Sequence, residues 1–163
     1  MTSSAPEPVP DAASARVRTW YPLKDAAGRD LVSSEIVGVI LGDGVEPVTQ
    51  TEKELRYAEV KRTLRQASDG QLSDGSWKPV SRDPELWELR WQWDDGSQLR
   101  GYFHEPPLEP DSTILAKVHR KLIIPRDDPE TKRLQNASID EAGIRIRSGK
   151  PHRWGLGDSN PLV

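Results

Sequence analysis

At 163 residues, 34% hydrophobic and 30% charged, the chain is long enough for one domain with a modest core and a large polar surface. It has no cysteine, which excludes disulfide frameworks and thiolate chemistry and points to a reducing, cytoplasmic setting. The net charge of −3 gives no overall pull towards nucleic acid, and no apolar run approaches a membrane span, so no membrane partner is expected.

The charge is unevenly spread. From Lys117 onward Lys and Arg outnumber Asp and Glu, while the first third leans acidic. A local anion-binding surface on a mildly acidic protein and an ordinary solvated mixed surface both fit this asymmetry.

Residues 1–15 are Ser, Ala, Pro, Glu and Asp with almost nothing to bury, and are expected to be disordered; they lack the basic and apolar stretches of a secretory signal. A single domain is expected over 16–147. Val17 to Leu23 suits a first strand, with Trp20 or Tyr21 turned inward. Ser33 to Leu41 reads two ways, because its β-branched residues favour a strand while Ser34 before Glu35 suits a helix start. Gly42-Asp43-Gly44 ends it. Thr51 to Ala67 predicts a helix, with Thr51 and Glu54 as a capping box and Tyr57, Val60, Leu64 and Ala67 as an apolar stripe. Ser68-Asp69-Gly70 stops that helix, and Gln71 to Pro84 reads as loop anchored by Trp77.

The centre of the chain is Leu86 to His104. Trp87, Leu89, Trp91 and Trp93 alternate with Glu88, Arg90 and Gln92, the period of a strand with one dry face and one wet face. Asp94-Asp95-Gly96 predicts a tight turn. Leu99, Gly101 and Phe103 then alternate with Arg100, Tyr102 and His104. The hairpin is therefore expected to hold the core on one side and chemistry-bearing groups on the other. The prolines of Glu105 to Asp111 exclude a strand interior. Thr113 to His119 is the next strand, and Asp128-Pro129 opens a helix expected to run to about Ala137. Ser138 to Arg147 fits either a continuation of that helix or a strand. From 148 to 163 the Gly- and Pro-rich composition predicts a flexible tail.

In sequence, these elements are a helix, a strand Leu86-Trp87-Glu88-Leu89-Arg90, a strand Arg100-Gly101-Tyr102-Phe103, a strand ending in His119-Arg120-Lys121 ahead of Pro125, and a Pro-initiated helix. Over roughly Gln50 to Ala137 this order resembles the RelE/ParE superfamily of toxin–antitoxin toxins, in particular its phage-derived HigB-like branch. The resemblance implies an α+β fold, a small antiparallel sheet with helices packed on one face. It implies a metal-independent, cofactor-free endoribonuclease that cuts mRNA on the ribosome and is restrained by an antitoxin, often a helix-turn-helix protein. In such enzymes the ribose 2′-hydroxyl attacks the neighbouring phosphate, which needs a base, cations for the developing charge and an acid for the leaving oxygen.

The resemblance makes Arg100 the phosphate clamp, and Arg120 and Lys121 the basic cluster that stabilises negative charge. Tyr102, His104 and His119 are further candidate catalytic groups, either histidine being able to move a proton near neutral pH. Lys117 lies beside them, and Arg90 is placed on RNA backbone. The plainer readings are that Arg100 pairs with a sheet neighbour such as Glu88 and that the histidines are surface residues. The three histidines have no metal-ligand spacing. A non-catalytic binding protein on the same fold, acting for instance on a topoisomerase or as a phage or host interaction protein, is the rival function.

Overall fold

The computed structural model describes residues 17–42, 48–73, 75–93, 98–121 and 127–163. The expectations for the N-terminal segment and for the Asp94-Asp95-Gly96 turn lie outside these residues. The fold is α+β, built on one five-stranded sheet. Its strands are β1 (Thr19–Pro22), β2 (Trp77–Pro79), β3 (Trp87–Gln92), β4 (Gln98–His104) and β5 (Ser112–Lys121). The order is β1-β5-β4-β3-β2, antiparallel throughout except for the parallel β1–β5 pair. No helix among the described residues is long and apolar enough to cross a membrane.

The alternation of the hairpin sets the core. Trp87, Leu89 and Trp91 stand opposite Phe103, Gly101 and Leu99, and all are buried. Trp20 of β1 meets Phe103 with ring centroids 4.6 Å apart, which extends this apolar face across the sheet. Gly101 is favoured here by space. A Cβ on it would lie 3.1 Å from Trp91 Cζ3 and 3.3 Å from Leu115 Cδ1, so a side chain there would fit only if Trp91 and Leu115 gave way by a few tenths of an ångström.

The ambiguous stretch is a helix, α1 (Leu31–Leu41), which buries Val32, Ile36 and Ile40 at helical spacing. Asp30 caps it, accepting from the amides of Val32 and Ser33 at 2.9 and 2.8 Å, rather than Ser34. Helix α2 (Gln50–Ser68) starts one residue earlier than expected, and its cap lies two residues earlier. Thr49 is its cap and accepts from Glu52 N at 3.1 Å, so Thr51 and Glu54 lie inside the helix and form no capping box. Arg56 of α2 sits over the Trp93 ring at 5.8 Å, on the tryptophan side of the sheet.

Helix α3 (Asp128–Gly149) settles the second ambiguity, since Ser138 to Arg147 continues the helix. Asp127 caps it by accepting from Glu130 N at 3.0 Å, and Pro129 sits in its first turn. It buries Ile139, Ala142 and Ile146, and Gln135 reaches the Tyr102 hydroxyl. This helix therefore lies on the face where a wet strand surface is expected, and it covers much of it.

The tail departs from expectation most. Lys150–Asp158 forms short 3-10 turns either side of a kink at His152–Gly155, where Arg153 and Trp154 take positive φ, and Trp154 at the kink is buried. The Trp154 indole donates to Ile146 O at 2.8 Å, and its ring lies so close to Gly149 that a Cβ there would collide with Cδ1. Further on, Leu162 N donates to Trp20 O at 2.8 Å. Burying an indole of this size is worth about 1.5–3 kcal/mol, enough to outweigh a Gly- and Pro-rich composition.

Candidate functional site: a cationic sheet face

Register brings the polar residues of β3, β4 and β5 together in rows. Glu88, Tyr102 and Lys117 form one row, Arg90, Arg100 and His119 the next, and Gln92, Gln98 and Lys121 the last. Two arginines directly opposite each other repel unless a counter-charge sits between them. Glu88 supplies it. Its Oε1 is 2.8 Å from Arg90 Nε and 3.0 Å from Arg100 Nε.

The Arg90 contact is a hydrogen bond, whereas the Arg100 contact is an ion pair whose Nε–H is not aligned with the carboxylate. Arg100 instead donates through Nη1 to Leu99 O at 3.0 Å and through Nη2 to Gln98 Oε1 at 2.7 Å. Glu88 is 2% exposed and Arg100 6%, while the Arg90 side chain is 36% exposed and opens to solvent. The expected pairing of Arg100 with Glu88 is thus present. Burial lowers the pKa of Arg100 from the usual guanidinium value.

Lys121 completes the group. Its pKa is lowered first by burial and then by Arg100, with Arg90 and Lys78 adding to the effect and Glu88 opposing it. Arg90 and Arg100 pair with Glu88, Lys78 stands opposite it in register and Lys121 lies one row beyond the arginines, so among the described residues four cations surround one carboxylate.

His119 lies beside them with a defined tautomer. Its Nδ1 is 3.1 Å from Arg120 O, which can only accept, so Nδ1 carries the proton. Nε2 is then an acceptor, and the Tyr102 hydroxyl donates to it at 3.0 Å. Burial holds the His119 pKa down to about 4, which keeps the ring neutral at pH 7. Tyr102 is fully buried, and that burial raises its pKa. A cavity of about 230 Å3 between the end of β5 and α3 reaches His119, Lys121, Thr131 and Gln135.

The remaining candidates lie elsewhere. Arg120 stands opposite Leu99 and so belongs to the other face of the sheet from Lys121. Lys117 contacts Glu35 at 3.0 Å and Glu141 at 3.1 Å. Arg145 joins both carboxylates, and Glu35 also accepts from Val118 N at 3.2 Å, where β5 has run past the end of β1. This group ties α1, β5 and α3 together. His104 is four residues along β4 from Arg100, about 13 Å at strand rise. It is 6% exposed, donates from Nδ1 to Glu85 O at 2.7 Å and packs on the Trp154 ring. Burial lowers its pKa as well.

The structure thus gathers Arg90, Arg100, Tyr102, His119 and Lys121 on one face. Lys117 shares that face but is held by Glu35 and Glu141. Arg120 comes from the opposite face to line the same cavity as His119 and Lys121, and His104 lies apart. Lys78, exposed on β2, went unrecognised because a three-residue strand ending in Pro79 carries no alternation to read. Compared with models of protein families, with curated proteins and with solved structures, the chain matches none.

Proposed function

We propose that this chain is a ribosome-dependent mRNA endoribonuclease, the toxin of a toxin–antitoxin pair, with the cationic sheet face as its RNA site. One observation carries the reading. Among the described residues, Arg90 and Arg100 both pair with the one carboxylate of Glu88, with Lys78 opposite it on β2 and Lys121 one row beyond the arginines, a surplus that a phosphodiester would neutralise.

The groups divide by exposure. Arg90 and Lys121 reach solvent and hold the scissile phosphate, while buried Arg100 fixes Glu88 and adds positive potential. His119, neutral at pH 7, takes the proton of the 2′-hydroxyl at Nε2 once Tyr102 yields that lone pair. The 2′-oxygen bonds to phosphorus and the bond to the 5′-oxygen breaks. Lys121, made more acidic by burial and its cationic neighbours, gives the leaving oxygen its proton. The products are a 2′,3′-cyclic phosphate and a 5′-hydroxyl. Tyr102 and Arg100 act as positioning residues.

The rival, a binding protein without catalysis, draws on the same geometry, because the His119 lone pair and the Arg100 charge are already engaged inside the fold. Induced expression in a bacterial host, with growth and mRNA 5′-ends followed together, decides between them. The expected outcome is growth arrest with new 5′-ends inside translated codons, abolished by Lys121→Ala. Arrest with intact mRNA, or persisting in Lys121→Ala, would favour the rival.

A further inference from the structure

A pocket of about 650 Å3 opens where β3 begins and β4 ends, at the opposite end of these strands from Gln92 and Gln98. Its volume is in the range of small-ligand sites, and its lining is mostly apolar. Trp87, Pro106, Pro107, Leu108 and Trp154 supply that lining, together with His104.

His104 gives the pocket a polar anchor. Its Nδ1 donates to Glu85 O at 2.7 Å, so the free lone pair of the ring is on Nε2. Nε2 has no hydrogen-bond partner among the described residues, and it keeps accessible surface although the residue is only 6% exposed. Burial lowers the His104 pKa, which leaves that lone pair unprotonated at pH 7. An acceptor in so apolar a setting is poorly hydrated and favours a ligand that donates to it.

The charges at the rim are already matched. Lys150 pairs with Glu85 and Arg153 with Glu109, each at 2.7 Å, and Arg18 pairs with Glu105 at 2.9 Å. A charged ligand would compete with these pairs, whereas a neutral one leaves them in place. Leu108, 93% exposed beside the pocket, would gain cover from a ligand seated there.

We propose that this pocket binds a small neutral aromatic molecule carrying one hydroxyl or N–H group, which donates to His104 Nε2 while its ring packs on Trp87, Trp154 and the two prolines. Aromatic rings suit such a lining because they bury a large area in specific ring-to-ring geometries. The site goes beyond the RNA reading and does not rest on it, since His104 lies apart from the cationic face.

The test is 1H–15N NMR of the whole protein, following the His104 ring nitrogens and the tryptophan indole signals. Three probes are titrated. They are 2-naphthol, 2-methoxynaphthalene, which has the same rings and no donor, and 2-naphthoate, which is charged. The expected result is a saturable shift of the His104 Nε2 and Trp154 signals with 2-naphthol, the nitrogen moving upfield as it accepts a hydrogen bond. The Trp91 indole signal should stay in place. 2-Methoxynaphthalene should bind about tenfold more weakly, the effect of one hydrogen bond in a desolvated site. 2-Naphthoate should bind no more tightly than 2-methoxynaphthalene. His104→Phe should erase the difference between 2-naphthol and its methyl ether, and the comparison of probes on the parent protein stands even if that variant does not fold.

Three results would overturn the proposal. They are no saturable shift with 2-naphthol, equal affinity for 2-naphthol and its methyl ether, or tightest binding by 2-naphthoate. The first leaves no ligand site, the second an apolar surface that does not use His104, and the third an anion site.

Discussion

Two ion clusters sit on the same sheet, and they are built differently. Around Glu35, two carboxylates face two cations. Lys117 and Arg145 each contact both Glu35 and Glu141, and the group seals the edge of β5 that β1 leaves open. Around Glu88, one carboxylate faces two arginines, and burial, the two arginines and Lys78 together lower the pKa of nearby Lys121. The first cluster is balanced and joins three elements. The second carries a surplus that no described partner removes. Balanced charge of this kind belongs to architecture, and unbalanced charge beside an open cavity belongs to binding.

The sharpest way to break the comparison is to remove the central carboxylate of each cluster. Glu88→Gln leaves two arginines opposite each other with one of them buried, and should cost about 3–5 kcal/mol in urea unfolding. Glu35→Gln keeps Glu141 beside both cations and should cost less, about 1–3 kcal/mol. Equal losses would show that the Glu88 group is as compensated as its neighbour.

Trp154→Ala should cost about 3–5 kcal/mol, because it empties the contact among His104, Gly149 and the Ile146 carbonyl. A value near zero would return the C-terminal segment to the status of a loose tail.

A smaller effect follows from His119. Its folded pKa of about 4 lies below the ordinary value of 6.5. The unfolded chain therefore binds more protons between these values, and stability rises with pH there. The contribution is fully present above pH 6.5 and is lost as pH falls through 4, on the order of 3 kcal/mol. His104 shifts in the same direction, so the informative quantity is the difference between the protein and His119→Gln. The variant should show a shallower fall of unfolding free energy between pH 6.5 and 4.

Smallest in stability is Lys121→Ala, expected within about 0.5 kcal/mol of the parent, since it relieves repulsion and breaks no described ion pair. Its effect belongs to RNA binding instead.

The sequence reveals the fold in some places and hides it in others, for identifiable reasons. The tryptophan strand, its partner and β5 follow from alternation, since burial of one face imposes period two. Helix α2 follows from its apolar stripe at helical spacing, although its cap is Thr49 and not Thr51. Helix α1 is obscured by its β-branched residues, while the signal that resolves it, Asp30 just before Leu31, is a local one.

The packing of Trp154 leaves no local trace, because it depends on α3 running to Gly149 and turning back on itself. At the candidate site, alternation alone places Arg90, Arg100, Tyr102 and His119 on one face. It does not reveal that α3 covers part of that face, nor that Arg120, between two residues of the site, points the other way.

The most direct test of the cationic-face account is the salt dependence of single-stranded RNA binding. It is compared between the protein and an Arg90→Gln/Lys121→Gln double variant, with Lys117→Gln as the matched change in the balanced cluster. Neutralising two phosphate-contacting charges should flatten the slope of log K against log salt by about 1.4. Lys117→Gln should leave the slope where it is. A double variant with an unchanged slope, or a Lys117→Gln variant that alters it as much, would contradict the account.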